Sequence, residues 1–237
     1  MSLRFAERNR EFSQGQQPPT YGLIFDLDNT LLRSAIDFSL MKREVCRLLR
    51  QACLTFDGSL PVSALIAAAA PPPQLAREIW QTVERIESCG MEAALLEPGV
   101  REALRLLWPA ARLCLLTNNL LSAARRALAA FGIEDYFDLA AGRAEAGDEP
   151  QVLGALKPDP GGMLAICRAF PGVKKWLAVG DAVIDAQAAE AAGIGFVAYN
   201  NSRAEDWQAH WIKPLACLKT WDGQSVRLIE QILTQGG

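Results

Sequence analysis

Short apolar runs alternate with amphipathic helical patterns along most of this 237-residue chain. Strand-like runs occur at 21–25, 113–117, 177–180 and 196–199, with a weaker one near 136–139. Helical stripes lie between them, at 121–131, 163–170 and 182–192. Strands that alternate with helices predict an α/β fold with a Rossmann-like parallel sheet core covered on both faces. In such folds ligands bind at the carboxyl ends of the strands.

Residues 33–97 differ from the rest of the chain and predict a second, smaller domain. Helical stripes and proline-containing breaks dominate there, without a strand signal of comparable strength. A segment of about 65 residues is long for one crossover, so we interpret it as an inserted all-helical cap. The alternative is that these helices pack on the sheet. The α/β core is then expected at 21–32 and 98–237, and residues 1–20 are expected to form a flexible lead-in.

Composition limits the classes of partner. The net charge of −3 gives no electrostatic case for nucleic acid or for an anionic membrane, and no apolar run reaches the ~18–20 residues of a spanning helix. Six cysteines without a C-x-x-C pair, and no signal-peptide pattern, predict a reducing, cytoplasmic setting. The single histidine, His210, lies in a late loop-like region and is not expected to be catalytic. The oligomeric state is left open between a monomer and a homodimer.

Two carboxylates, Asp26 and Asp28, directly follow the first strand-like run. In an extended chain this spacing puts both side chains on one face. Burying unpaired like charges costs several kcal/mol or shifts their pKa values, so a fold has no structural reason to place them there. A metal ion, or a division into one nucleophile and one acid/base, would make the pair useful. The alternative is that Asp28 and Asn29 simply begin a turn.

Three further polar sites fall where a parallel sheet would bring them to the same edge. Thr117 and Asn118 end one apolar run, and Lys157 lies just before a helix. Asp181 and Asp185 follow another apolar run and share a face if a helix begins at once. Each has an ordinary alternative: Thr117 as a helix N-cap, Lys157 as a solvated loop residue, and Asp185 as a surface residue of an alanine-rich helix.

In order and content these segments resemble the haloacid dehalogenase-like superfamily, in its phosphatase branch. The matching motifs are Asp26-x-Asp28 with Asn29-Thr30, then Thr117, then Lys157, then Gly180-Asp181-x-x-x-Asp185. The resemblance extends from about residue 21 to 200, and the insertion resembles the helical cap of the phosphoglycolate phosphatase-like group. It implies a Mg²⁺-dependent phosphatase that hydrolyses a small phosphorylated metabolite, of the phosphoglycolate, sugar phosphate or nucleotide monophosphate class, through an aspartyl-phosphate.

The resemblance also implies a role for each matched residue. Asp26 would attack phosphorus as the nucleophile, and Asp28 would act first as general acid and then as general base. Thr117 and Lys157 would bind the transferring phosphoryl oxygens, Lys157 as a point charge, with a backbone N–H near Asn118 as a further donor. Outside the matched motifs, Arg143 follows the weaker strand-like run in a predicted loop and is a further possible phosphate contact. The expected Mg²⁺ ligands are Asp26, Asp28 through its backbone carbonyl, and Asp181, with Asp185 in support as an occasional ligand or behind the ligands.

Some alternatives remain open within this resemblance. Asp28 favours phosphate ester chemistry over dehalogenation, because a halide leaving group needs no proton. A phosphomutase would share the same residues, and an inactive descendant would bind phosphate or a protein partner without turnover. Ala182 departs from the Ser or Thr that family members often carry there, and the stretch 144–155 before Lys157 is longer than expected. The basic residues Arg33, Lys42 and Arg43 are possible substrate contacts or simply solvated side chains.

Overall fold

A computed structural model describes residues 3–7, 18–144, 156–200, 207 and 212–235. These residues divide into two compact units. The sheet unit comprises the described residues of Met1–Arg33, Leu95–Ala144 and Pro150–Gly237, and the helical unit comprises Ser34–Ala94. His210 lies outside the described residues.

The sheet unit is built around one seven-stranded sheet and a separate two-stranded ribbon. The strands in chain order are β1 (Leu3–Glu7), β2 (Tyr21–Phe25), β3 (Leu32–Arg33), β4 (Leu95–Leu96), β5 (Ala111–Leu120), β6 (Leu139–Arg143), β7 (Lys175–Gly180), β8 (Gly195–Tyr199) and β9 (Ala216–Leu218). The sheet order is β1-β6-β5-β2-β7-β8-β9, with every pairing parallel except that of β1 with β6. The predicted α/β fold with a Rossmann-like parallel core is therefore confirmed.

The helices at 121–130, 161–169 and 183–191 follow the predicted stripes, whereas those at 100–107 and 223–234 lie where no stripe was predicted. The described helices are α1 (Phe38–Gln51), α2 (Val62–Ala69), α3 (Pro73–Glu92), α4 (Val100–Leu107), α5 (Leu121–Ala130), α6 (Gly161–Ala169), α7 (Val183–Ala191) and α8 (Gly223–Thr234). Gly132 and Gly193 follow α5 and α7 with φ of +59° and +69°, the left-handed conformation that commonly ends a helix. In the part of the chain that the structure describes, no helix combines the length and apolar character needed to cross a bilayer.

The central strand β2 brings the first aspartate to the carboxyl edge of the sheet. Phe25 is in register with Leu115 of β5 on one side and with Val179 of β7 on the other. Leu23, Ile24 and Phe25 are all buried, as expected for a strand covered on both faces. Asp26 is therefore the first residue after the buried part of β2 and lies at the carboxyl edge of the sheet.

Both edges of the sheet differ from the sequence-based expectation. The predicted flexible lead-in at 1–20 is wrong for Leu3–Glu7, which pairs antiparallel with β6. This pairing satisfies backbone groups that β6 would otherwise leave at an open edge, a tertiary contribution that short local patterns do not reveal. The three-residue strand β9 was not predicted either, because it is too short to show a period. The weak run near 136–139 is displaced: Glu134–Tyr136 is a 3₁₀ turn and the strand β6 begins at Leu139.

The predicted all-helical segment 33–97 is not helical at its ends. Leu32–Arg33 pairs antiparallel with Leu95–Leu96, which makes the short β3–β4 ribbon, and all four residues belong to the sheet unit. Two-residue strands carry no periodic signal, so the sequence could not reveal them.

The helical unit is held together by an apolar core between its helices. Val45 and Leu49 of α1 and Ile79 and Val83 of α3 are buried almost completely. Asp37 caps α1, because its carboxylate accepts the N–H of Leu40 at 2.7 Å.

Candidate active site

The two motif aspartates lie in a hydrogen-bonded turn, residues 26–32, here called the Asp turn. The Asp26 N–H donates to the Val179 carbonyl of β7 at 2.9 Å, so Asp26 continues the sheet pairing by one residue. The Leu27 carbonyl then accepts the N–H groups of Leu31 at 2.9 Å and Leu32 at 3.0 Å. Asn29 has φ of +54°, a conformation that Asn tolerates better than most residues. The aspartates are therefore fixed at the carboxyl edge of the central strand.

Lys157 forms the electrostatic centre of the site. Its ammonium donates to Asp26 Oδ1 at 2.6 Å, to Asp185 Oδ1 at 2.5 Å and to the Leu116 carbonyl at 2.9 Å. These three acceptors match the three donors of an ammonium group. The residue is only 3% exposed, which excludes the alternative of a solvated loop lysine.

Asn118 holds the backbone of Lys157 in place. The Asn118 side chain accepts the Lys157 N–H and donates to the Lys157 carbonyl, both at 2.9 Å. This two-sided contact gives the side chain a positioning role that the sequence did not predict. Thr117 is buried inside β5, not at a helix N-terminus, and its hydroxyl accepts the Asn119 N–H at 3.1 Å. A phosphate contact at Thr117 or Asn118 remains a prediction.

Asp185 is buried at the start of α7, which excludes its alternative as a surface residue. Its Oδ2 accepts the Ala182 N–H at 3.0 Å, while its Oδ1 faces Lys157. Gly180 makes this approach possible, since a Cβ at that position would lie 2.6 Å from Asp185 Oδ2. The close approach of Asp185 therefore explains why a residue without a side chain stands at the end of β7.

Three carboxylates converge beside Lys157. Asp26, Asp181 and Asp185 each offer an oxygen, and these oxygens lie within 4.8 Å of one another. Hard divalent cations such as Mg²⁺ prefer ligand sets made only of oxygen. The residues present therefore fit a divalent metal ion.

The local charges favour such an ion. Burial raises the pKa of Asp26 well above its usual range; Lys157 opposes this, whereas Asp185, Asp181 and Asp28 raise that pKa further. Burial alone would lower the pKa of Lys157, but Asp185 and Asp26 outweigh that effect and raise it, so the lysine stays charged. A bound cation would offset the repulsion and favour the ionised form of Asp26, the form that a nucleophile needs.

Sequence reasoning missed a contact to the second aspartate. The side-chain amide of Asn119 is buried and donates to Asp28 Oδ2. The Thr117-Asn118-Asn119 run indicated amides at a strand end, but which amide contacts Asp28 depends on how β5 leaves the sheet. The Thr30 hydroxyl also donates to Asp26 Oδ2 at 3.3 Å, so both aspartates have polar neighbours that orient them.

Arg143 is the last residue of β6 and is only 1% exposed. It is in register with Leu120, the last residue of β5. The structure thus places a buried arginine where β6 ends, while its predicted phosphate contact stays a prediction. Of the long stretch before Lys157, residues 145–155 lie outside the part of the chain that the structure describes.

The sequence model of haloacid dehalogenase-like hydrolases matches residues 22–193. The chain belongs to this family. Phosphoglycolate phosphatase of Cereibacter sphaeroides is 33% identical over 194 residues, which cover 75% of this chain and 84% of that protein. The family and its relatives identify the chain as a phosphatase of the haloacid dehalogenase-like family, which confirms the resemblance stated above.

Solved structures show the same fold. A predicted phosphoglycolate phosphatase from Haemophilus somnus has a TM-score of 0.60 and 22% identity, over 88% of this chain and 97% of that one. A candidate β-phosphoglucomutase from Thermotoga maritima has a TM-score of 0.54 and 21% identity, over 90% of this chain and 100% of that one. The fold is therefore shared by proteins named as phosphatases and as a mutase, and it does not separate the two reactions.

Proposed function

We propose that this phosphatase hydrolyses a small phosphate monoester through an aspartyl-phosphate on Asp26, with Mg²⁺ as its metal ion. The observation that carries the proposal is the contact of the Lys157 ammonium with both Asp26 and Asp185 at the carboxyl edge of the sheet. A charged group held between carboxylates at this edge has no role in packing the core. It fits a site that receives a phosphate next to a nucleophile.

The metal would be held by the Asp26, Asp181 and Asp185 carboxylates. The backbone carbonyl of Asp28 would be a further ligand, as the resemblance to the family implies. When bound, Mg²⁺ would supply positive charge that lets an anionic phosphate approach these carboxylates. The protein contributes an oxygen-only ligand set, and Lys157 keeps a second positive charge beside the nucleophile.

The residues divide the reaction into two displacements. In the first, Asp26 attacks phosphorus, the bond to the leaving oxygen breaks, and Asp28 gives that oxygen a proton. In the second, Asp28 takes a proton from water as the water oxygen attacks phosphorus and releases Asp26. Thr117 is assigned to the phosphoryl oxygens, with Arg143 as a further candidate, and Lys157 is assigned to their negative charge as a point charge beside Asp26. The Asn119 amide orients Asp28 for both proton transfers.

Phosphoglycolate is the first substrate to test, because the relatives named above carry that name. Sugar phosphates and nucleotide monophosphates are the other members of the proposed class. The same proposal assigns substrate selection to the helical unit, as a cap. A phosphomutase remains the alternative, since it would use the same nucleophile and acid/base but return the phosphoryl group to a sugar.

The test is phosphate release from a panel of phosphorylated metabolites, with and without Mg²⁺, by the wild type and by Asp26→Asn. Asp26→Asn keeps the side-chain volume but removes the nucleophile, so we expect turnover to fall by about a thousandfold or more. Mg²⁺-dependent release that survives in this variant would overturn the mechanism. Formation of an aspartyl-phosphate without release of inorganic phosphate would instead favour the mutase.

A further inference from the structure

The C-terminal segment contacts the Asp turn through one tryptophan. Trp221 lies between β9 and α8 and is almost completely buried. Its indole N–H donates to the Thr30 carbonyl at 2.7 Å, across 191 positions of the chain. The Asp turn therefore has an anchor that lies outside the recognised motifs.

This anchor is two hydrogen bonds away from the nucleophile. Trp221 holds the Thr30 carbonyl, and the Thr30 hydroxyl donates to Asp26 Oδ2. The indole ring also packs against Phe25, the residue directly before Asp26, with ring centroids 5.9 Å apart. On another side it stacks on Tyr199 at 5.1 Å and 16°. One side chain thus contacts the chain on both sides of Asp26.

The backbone around Trp221 is itself held firmly. Asp222 caps α8 by accepting the N–H groups of Gln224 and Ser225, both at 2.9 Å. The Ser225 hydroxyl donates to the Thr220 carbonyl at 2.6 Å. Gly99 has φ of +84°, and a Cβ there would overlap the Trp221 carbonyl. These contacts fix the backbone from which the indole reaches the turn.

A second group holds the neighbouring carbonyl of the turn. The Glu97 N–H donates to the Leu31 carbonyl at 2.9 Å. The Glu97 carboxylate accepts two bonds from Arg33, at 2.5 Å and 3.1 Å, and one from the Tyr199 hydroxyl at 3.1 Å. The sequence indicated Arg33 as a possible substrate contact, but in the structure its guanidinium pairs with the Glu97 carboxylate. Because Tyr199 also stacks on Trp221, the two anchors of the turn support each other.

We propose that Trp221 is a positioning residue for the phosphatase reaction: its indole N–H fixes the Asp turn so that Asp26 and Asp28 keep their reactive orientation. The inference rests on the proposed function for its catalytic consequence. It gives the C-terminal segment a role in the site and not only in the sheet edge. Reactions of this kind are sensitive to small misplacements of the reacting groups.

Trp221→Phe separates this role from simple core packing. Phenylalanine keeps an aromatic ring against Phe25 and Tyr199 but removes the N–H donor and leaves the buried Thr30 carbonyl without it. Trp207→Phe is the matched control, because Trp207 is equally buried in the same unit and packs on Phe196 at 5.6 Å. Both variants replace a buried indole with a smaller ring.

We expect Trp221→Phe to lower kcat about tenfold or more while KM changes less than about threefold. Amide hydrogen exchange in residues 27–32, followed by mass spectrometry on the metal-free protein, should become about tenfold faster. Trp207→Phe should leave both quantities near wild type. Wild-type exchange of the turn in Trp221→Phe, or equal effects of the two variants, would overturn the proposal.

Thr30→Val tests the route from the turn to Asp26 without a change at Trp221 and should by itself lower kcat with little change in KM; a wild-type kcat in this variant would contradict that route. The substitution removes the hydroxyl that links the turn to Asp26 while keeping a side chain of similar shape. If the Trp221–Thr30 and Thr30–Asp26 hydrogen bonds act in series, the double variant Trp221→Phe/Thr30→Val should lose no more kcat than the more severe single variant. Additive losses of kcat would show that the two hydrogen bonds act independently. If the wild type shows no Asp26-dependent phosphate release, the proposed function fails, whereas the exchange measurement still decides whether Trp221 fixes the turn.

Discussion

The sheet unit and the helical unit bury charge very differently. In the sheet unit the buried charged side chains include Asp185, Lys157, Arg143 and Glu97. Among the described residues of the helical unit, Glu87 is the one buried charged side chain. Burying charge is costly unless it is paired, so a unit that buries several charges has a reason other than packing. The helical unit is held mainly by apolar contacts, which any unit needs for packing, and its sequence therefore reveals less about function.

Buried charge alone does not mark the active site. Asp138 is also buried in the sheet unit, but its Oδ1 pairs with Arg112 at 2.6 Å and its Oδ2 accepts the Leu113 N–H at 3.0 Å. That pair is balanced, with one carboxylate and one guanidinium. In contrast, Lys157 faces the two carboxylates of Asp26 and Asp185. The excess of negative charge, not the burial, distinguishes a site that fits a cation.

Lys157→Met tests this distinction and should have the largest effect on stability of the variants compared. It leaves the buried Asp185 and the partly buried Asp26 without their shared cation, and removing one partner of a buried ion pair typically costs about 3–5 kcal/mol. We expect that loss in urea unfolding of the metal-free protein, together with a fall in kcat of about a hundredfold or more, since the variant lacks the charge that we propose stabilises the phosphoryl group. Added Mg²⁺ should restore more stability to this variant than to the wild type.

Arg112→Met is the matched control, because it breaks the balanced pair with Asp138. It should lower stability while the kcat of the folded enzyme stays near wild type. Unchanged kcat in Lys157→Met, or an equal loss in both variants, would show that the two buried pairs do not differ in function.

Ile79→Ala tests the opposite claim, that apolar packing dominates the helical unit. Ile79 of α3 is fully buried, so the deletion should lower the free energy of unfolding by about 2–4 kcal/mol through lost burial and a residual cavity. Ile79→Val removes a single methylene and should cost only about 1 kcal/mol. Urea unfolding of both variants gives the comparison. If Val costs as much as Ala, the shape of the side chain matters more than the volume buried.

The central part of the fold, and the convergence of Asp26, Lys157 and Asp185, could be predicted because local pattern and chemistry agree there. Strand β2 is an apolar run that ends in Asp26, and the geometry of a parallel sheet brings Lys157 and Asp185 to the same edge. The edge strand β9 is too short to show a period, and β1 could not be predicted since its pairing with β6 depends on a partner far along the chain. The hydrogen bond from Trp221 to Thr30 could not be predicted for the same reason, since nothing in the sequence near either residue indicates the other.

Asp222→Asn should give the smallest effect, because Asp222 is an exposed charge with fixed hydrogen bonds. The Ser225 N–H, and then the Thr220 hydroxyl, lower the pKa of Asp222. Folding thus favours the ionised form, so its contribution to stability is present above the unfolded pKa of about 3.9 and is lost as pH falls through the lower folded pKa. Asparagine still caps α8 but does not titrate. Thermal unfolding of both proteins should show a small wild-type advantage near neutral pH that shrinks below about pH 4. A wild-type advantage that grows in acid would mean that the charge of Asp222 opposes the cap.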